Sequence, residues 1–503
     1  MRFTKTQTAY ALLIVCASAR LLLQMAALPP YAGLDEVYHV ARLAFVRAEH
    51  RNPTTSEASI APYLMRSIDA LPEAMPSMGE AGERWPAIVA ARGGRVVVDR
   101  PFAPADLKPY VVKNYEAQQT SIYYSLIAPL APVRSALFEL RVWRAMSLLF
   151  ALITVLAMAE IGRRWLGPVG ILGGAVLVSL PTWETLVMRA GNDAFACMLA
   201  ALAVLISVCA PKRAIGIAAE AIVWGLALNA KMYTWPLLII LPILWWRQRA
   251  PKTRAIAATI VAATAVLLTF AELSSRTRNP LGIVAFDRPG GIAYEAKVNI
   301  GEIIRVTIAS FAWTSGQFND ALRPIAIALF LGPIVIAMLV AKRSKQPMQL
   351  AFAALAAFAL AQTYNVVACV LANRGGNPIP IGGKEGWYWY VLAPLVIPAL
   401  LMPAVKRWRA VAWWIVLWDV IIFEGALIPD FAGMTSPAHG SMLFRWGPLH
   451  LPFAASLDGI GVGPLAAWTK AIRIVHLIAF FSLESFLQHM RPNDRNTDVA
   501  APR

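Results

Sequence analysis

Asp35 and Glu36 stand side by side just beyond the first long apolar stretch of the chain, and His39 follows one helical turn after Asp35. Carboxylates and an imidazole at the edge of an apolar segment are costly to bury, and such groups are most often kept for chemistry. Residues 34–51 have helical periodicity. Leu34, Val37, Ala41, Ala44, Phe45 and Ala48 fall on one face, and Asp35, His39 and Arg42 on the other. An amphipathic helix lying on the outer membrane surface is expected. On it Asp35 and His39 are neighbours and Glu36 is a quarter-turn away. A carboxylate beside an imidazole at a partly desolvated interface can take a proton from a hydroxyl or share a metal ion. The plainer alternative is that Asp35 caps the helix and His39 is an ordinary interfacial residue.

A second polar segment, Asn114-Tyr115-Glu116-Ala117-Gln118-Gln119, leads into an apolar stretch at 120–133. That stretch is too short to span a bilayer, so a re-entrant or surface-lying helix is expected, returning Glu116 to the interface of Asp35. Tyr123 and Tyr124 read either as site residues or as interfacial aromatics. Lys231, inside the apolar run from Trp224 to Trp246, needs an anionic partner or must snorkel to the headgroups. A lipid phosphate is the natural partner. Lys384 and Arg374, just before Trp387 and Tyr388, can play the same part, with the aromatics stacking on a sugar or a prenyl chain. Asp193 either caps a helix or binds substrate.

The elements that position these groups are membrane helices. Of 503 residues 58% are hydrophobic and 15% charged, and the mean hydropathy is +0.56, which is too apolar for a soluble chain. Apolar spans are read at 8–28, 142–161, 168–187, 194–210, 213–230, 233–246, 255–272, 323–341, 350–371, 388–405, 410–428 and 467–488, about twelve in all. The fold class is therefore an all-α polytopic membrane protein. The net charge of +17 comes from short clusters at every second connection, such as Arg163/Arg164, Lys212/Arg213, Lys342/Arg343 and Lys406/Arg407. That is the pattern of cytoplasmic loops, so both termini are read as cytoplasmic and nucleic acid is excluded as a partner. The chain divides into a first helix (1–28), a large outward loop (29–141), helices two to seven (142–272), an outward loop (273–322), helices eight to eleven (323–428), a third outward loop (429–466), a last helix (467–488) and a cytoplasmic tail (489–503). Cys16, Cys197, Cys209 and Cys369 lie in apolar segments without metal or disulfide spacing and read as small buried hydrophobes. Arg20, Glu220, Asp419, Glu424 and His476 fall within spans and are expected to face the bundle interior.

The order of these features resembles the GT-C superfamily of integral membrane glycosyltransferases, which includes protein O-mannosyltransferases, bacterial aminoarabinose transferases and further bacterial homologues. The resemblance rests on Asp35-Glu36 with His39 after a first span, Glu116-Ala117-Gln118-Gln119 with Tyr123-Tyr124, and Leu140-Arg141-Val142-Trp143-Arg144 opening the next helix. It continues through Met188-Arg189-Ala190-Gly191-Asn192-Asp193, Gly225-Leu226-Ala227-Leu228-Asn229-Ala230-Lys231, Phe311–Phe318 and Gly386-Trp387-Tyr388-Trp389-Tyr390. Trp387 stands where many relatives carry Arg, and Ala117-Gln118 replaces a His-Pro or Lys-Pro. The resemblance implies transfer of a sugar from a polyprenyl-phosphate carrier to a glycan, lipid or protein acceptor at the outer face of a bacterial inner membrane. It implies Asp35 as base, with Glu36, His39 and Glu116 orienting the acceptor or holding a divalent cation. Tyr123, Asp193, Lys231, Lys384, Trp387 and Tyr388 would bind substrate. The alternative is a secondary transporter or flippase of a lipid-linked or anionic substrate, for which Glu220, Asp419 and His476 are the motivating residues.

Overall fold

The computed structural model describes residues 4–28, 31, 36–54, 57, 119–132, 134–209, 213–247, 252–276, 328, 332, 346–374, 386–401 and 469–490. Asp35, Glu116, Lys384, Asp419 and Glu424 lie outside them, as do the spans expected at 323–341 (residues 328 and 332 apart) and 410–428. All regular structure among the described residues is helical.

Helix α1 (Lys5–Ala27) opens on a reciprocal cap, in which Thr4 accepts from the Gln7 amide and the Gln7 side chain accepts from the Thr4 amide. Helix α2 (Glu36–Glu49) follows, then the short α3 (Ile122–Ile127) with a 3-10 turn at Ala128–Leu130. Helix α4 (Ala136–Leu166) is capped by Ser135, carries Glu139 in its first turn and Arg163 and Arg164 in its last, and stops at Gly167, whose φ of 75° favours glycine. Next come α5 (Leu172–Val178), α6 (Pro181–Met188), α7 (Asn192–Val208) and α8 (Ala214–Ala230). A 3-10 segment at Met232–Ile239 leads into α9 (Ile240–Arg247), followed by α10 (Lys252–Arg276) and α11 (Gln346–Arg374). A 3-10 turn at Gly386–Leu392 runs into α12 (Ala393–Leu401), and α13 (Thr469–His489) is last.

Four of these helices are long and apolar enough to cross a membrane, within Lys5–Met25, Ala136–Leu166, Lys252–Arg276 and Ala471–His489, and six shorter ones are also apolar. Helix α1 packs along α13, while α4, α7, α8 and α10 form a row of successive neighbours. The outer faces of the helices carry large aliphatic side chains: Ile215, Leu267, Leu268, Leu360 and Ile478 are exposed, whereas Arg20, Glu220 and His476 are buried as expected. Polar groups inside and large aliphatics outside are the inverse of a water-soluble surface, and the chain is a membrane-embedded helical protein.

Four expectations need correction. The span expected at 168–187 is broken, because Pro181 cannot continue α5 and restarts the chain as α6. The spans at 233–246 and 388–405 each begin as 3-10 helix, not α-helix. Helix α2 does not lay a polar face in water: Glu36, His39 and Arg42 are as buried as Val40 and Leu43, because each polar group finds a partner on a neighbouring helix or turn. Cys209 is exposed at the C-terminal cap of α7.

Candidate functional site

Helix α2 is held in place by its first residue. Glu36 accepts from Arg144 Nε at 2.8 Å and Nη2 at 2.6 Å, a bidentate pair between α2 and α4, and from the amide of Ala190 at 2.8 Å. The third guanidinium nitrogen of Arg144 donates to the carbonyl of Leu28 at 2.8 Å, tying in the end of α1. Further along, Arg47 pairs with Glu139 of α4 at 2.9 Å. With these bonds made, the polar side of α2 faces protein.

His39 lies one turn past Glu36. Its Nδ1 and the Tyr124 hydroxyl share a hydrogen bond of 2.7 Å, and the Arg42 guanidinium sits 3.7 Å above the Tyr124 ring. Burial, followed by the cations of Arg189, Lys231 and Arg42 against the opposing charge of Asp193, holds His39 well below its ordinary pKa, so the imidazole is neutral. The ring rests on the backbone of the turn before α7. A Cβ on Gly191 would come 2.9 Å from His39 Cδ2 and 3.3 Å from Nε2. Gly191→Ala is therefore expected to push the imidazole off this turn and destabilise the fold by about 1–3 kcal/mol, the usual cost of overpacking. Thermal unfolding of the purified variant checks this, and a wild-type midpoint would refute the close approach.

The turn also carries the strongest charge cluster. Asp193, in the first turn of α7, pairs with Arg189 four residues before it and with Lys231 at the end of α8. Lys231 also reaches Asn192 Oδ1 at 3.3 Å. All three charged side chains are no more than 5% exposed. The helix-cap expectation for Asp193 is thus corrected: Gly191 is the N-cap, and the carboxylate is spent on two cations instead. Lys231 does not snorkel either, because Asp193 gives it a counter-charge inside the bundle. Its ammonium lies 5.8 Å and 5.5 Å from the ring centroids of Tyr233 and Tyr388, which stack on each other at 3.7 Å and 9°. Thr120 closes the assembly by donating to the carbonyl of Ala230 at 2.8 Å.

The structure thus brings Glu36, His39, Tyr123, Asp193, Lys231 and Tyr388 into one connected region. Tyr123 is fully buried and edge-on to Tyr124, a core position and not the interfacial one that stood as its alternative. Trp387 lies in the same 3-10 turn as Tyr388. As a divalent-cation set, Asp35, Glu36, His39 and Glu116 are represented among the described residues by Glu36 and His39 alone. These do not fit one: the Glu36 carboxylate is filled by three donors, and His39 is surrounded by cations. No group of three metal-ligating side chains occurs among the described residues. Sequence reasoning singled out neither Arg144, Arg189 nor Tyr233 as site residues. For Arg144 and Arg189 the signal was present, since an arginine at the border of an apolar span requires a carboxylate somewhere.

At the other end of α7 and α8 lies a separate buried cluster. Glu220 accepts from Arg254 Nε and Nη2 at 2.5 Å and 2.8 Å and from Ser207 at 2.7 Å, and Trp224 donates to Ser207 at 2.9 Å. From Asp193 to Ser207 α7 rises about 21 Å at 1.5 Å per residue, which sets the two clusters near opposite ends of the helix.

Comparison of the chain with protein-family models, with curated proteins and with solved structures found no match in any of the three.

Proposed function

We propose that the protein is a membrane glycosyltransferase of the GT-C type, moving a sugar from a polyprenyl-phosphate donor to a glycan, lipid or protein acceptor. The observation that carries this reading is the buried pair of cations, Arg189 and Lys231, that share the Asp193 carboxylate beside neutral His39 and the Tyr233–Tyr388 stack. Among the described residues the Arg189 and Lys231 cations share the Asp193 carboxylate, and buried cations of this kind suit a phosphate that gains negative charge as the sugar departs. The adjoining tyrosines supply apolar surface for a sugar or an isoprenoid. Asp35 is the proposed base. Both oxygens of Glu36 accept hydrogen bonds, from Arg144 and the Ala190 amide, which occupies this carboxylate and leaves its neighbour for proton transfer. Lys384 and Trp387 remain proposed substrate contacts, and Glu116 a proposed acceptor contact. In this reading the chain has about twelve spans in a bacterial inner membrane, cytoplasmic termini and a periplasmic site.

One observation favours the second reading, a transporter or flippase of a lipid-linked anion. Helical continuity is lost at Pro181, at Met232–Ile239 directly after Lys231 and at Gly386–Leu392 around Tyr388, and interrupted helices beside a charged site are a transporter device. Purified protein in lipid nanodiscs, given a panel of polyprenyl-phosphate hexoses and pentoses, is expected to release polyprenyl phosphate. Asp35→Asn should abolish that release without lowering expression, and Lys231→Ala should weaken donor binding. Unchanged turnover in Asp35→Asn removes Asp35 from the mechanism. Movement of intact donor across proteoliposomes with no cleavage would favour the transporter.

A further inference from the structure

The Arg42, Tyr124 and His39 side chains form a chain of contacts that the proposed reaction does not itself require. Arg42 is anchored by three oxygens, the carbonyls of Gln119 at 2.9 Å and Thr120 at 3.2 Å and the Asn52 side chain at 2.8 Å, so its planar fork has a fixed orientation. That orientation lays the guanidinium 3.7 Å over the Tyr124 ring. A cation on a phenol's π face withdraws electron density from its oxygen, which makes the hydroxyl a better donor and a poorer acceptor. The hydroxyl is 2.7 Å from His39 Nδ1, and both residues are buried. A neutral imidazole has one donor and one acceptor nitrogen, so the direction of the Tyr124 bond at Nδ1 decides the role of Nε2.

We infer that Tyr124, polarised by Arg42, donates to Nδ1 of His39 and holds the imidazole as the tautomer protonated on Nε2. Tyr124 is then a positioning residue, and His39 is a hydrogen-bond donor and not a base. Nε2 lies against the Gly191 backbone, in the turn that carries Arg189 and Asp193, with Lys231 facing that turn. The functional half of this inference rests on the transferase reading, in which Nε2–H would support an oxygen of the donor or acceptor while Asp35 takes the proton. The tautomer itself does not rest on that reading.

The test is nitrogen-15 NMR of full-length protein carrying labelled histidine in lipid nanodiscs, with the His39 signals identified by their loss in His39→Gln. The expected wild-type pattern is an acceptor Nδ1 and a protonated Nε2. A protonated Nδ1, or an imidazolium, at neutral pH overturns the inference without any need for a variant at Tyr124. In Tyr124→Phe the Nδ1 resonance should shift toward that of an acceptor nitrogen without a hydrogen bond. An unmoved Nδ1 resonance in folded Tyr124→Phe overturns the part given to Tyr124. Neither measurement uses turnover, so failure of the transferase reading would leave both results standing.

Discussion

Asp193→Ala is expected to destabilise the protein by about 3–5 kcal/mol, more than removal of either cation that the carboxylate holds. The asymmetry follows from charge. Arg189 and Lys231 both bond to Asp193 inside the bundle, so its loss takes one shared anion from two buried cations. Lys231→Met instead leaves the Asp193–Arg189 pair in place and replaces an ammonium by an apolar chain of similar length. The double variant Asp193→Ala/Lys231→Met should therefore be more stable than Asp193→Ala alone, a recovery that independent sites would not give. Apparent unfolding temperatures in nanodiscs at one scan rate rank the three variants. If Asp193→Ala unfolds no earlier than Lys231→Met, the carboxylate is not the keystone of the cluster. The same ranking makes Lys231→Met the better variant for donor binding, because a binding defect in a stable protein is not a folding defect.

How much of this could be read in the sequence depends on the range of the interaction concerned. Helices α1, α4, α7, α8, α10 and α13 follow their apolar runs, because a stretch of that length has no other way to satisfy its backbone in an apolar medium. The Leu180-Pro181 break was written in the chain, but the apolar run through it made one span the simpler reading. Asp193 and Lys231 were each legible as costly charges. The short connection between α7 and α8 puts both residues on one side of the membrane, but their direct pairing, with Asp193 serving Lys231 in place of a lipid phosphate, was not legible. Glu36 and Arg144 are 108 residues apart, and the pairing across that distance turned an expected surface helix into a buried one. A periodic polar face shows which residues share a side. It does not show whether that side meets water or another helix.

Arg144→Met is expected to cost about 3–5 kcal/mol, because it removes two donors from a fully buried carboxylate and a third from the carbonyl of Leu28. Glu36→Leu should cost a similar amount by leaving the guanidinium without this carboxylate. Exchanging the whole pair is a different matter: Glu36→Leu/Arg144→Met fills the same space with apolar atoms, and such replacements of buried ion pairs are often neutral or stabilising. The double variant should recover most of the loss in unfolding temperature. It also separates the two carboxylates at the start of α2. If Glu36 is an anchor, the double variant folds and retains measurable release of polyprenyl phosphate, reduced only to the extent that His39 has moved with α2. If it folds with wild-type stability and is silent while single substitutions around Asp35 stay active, the proton passes through Glu36, and Asp35 loses its role as base.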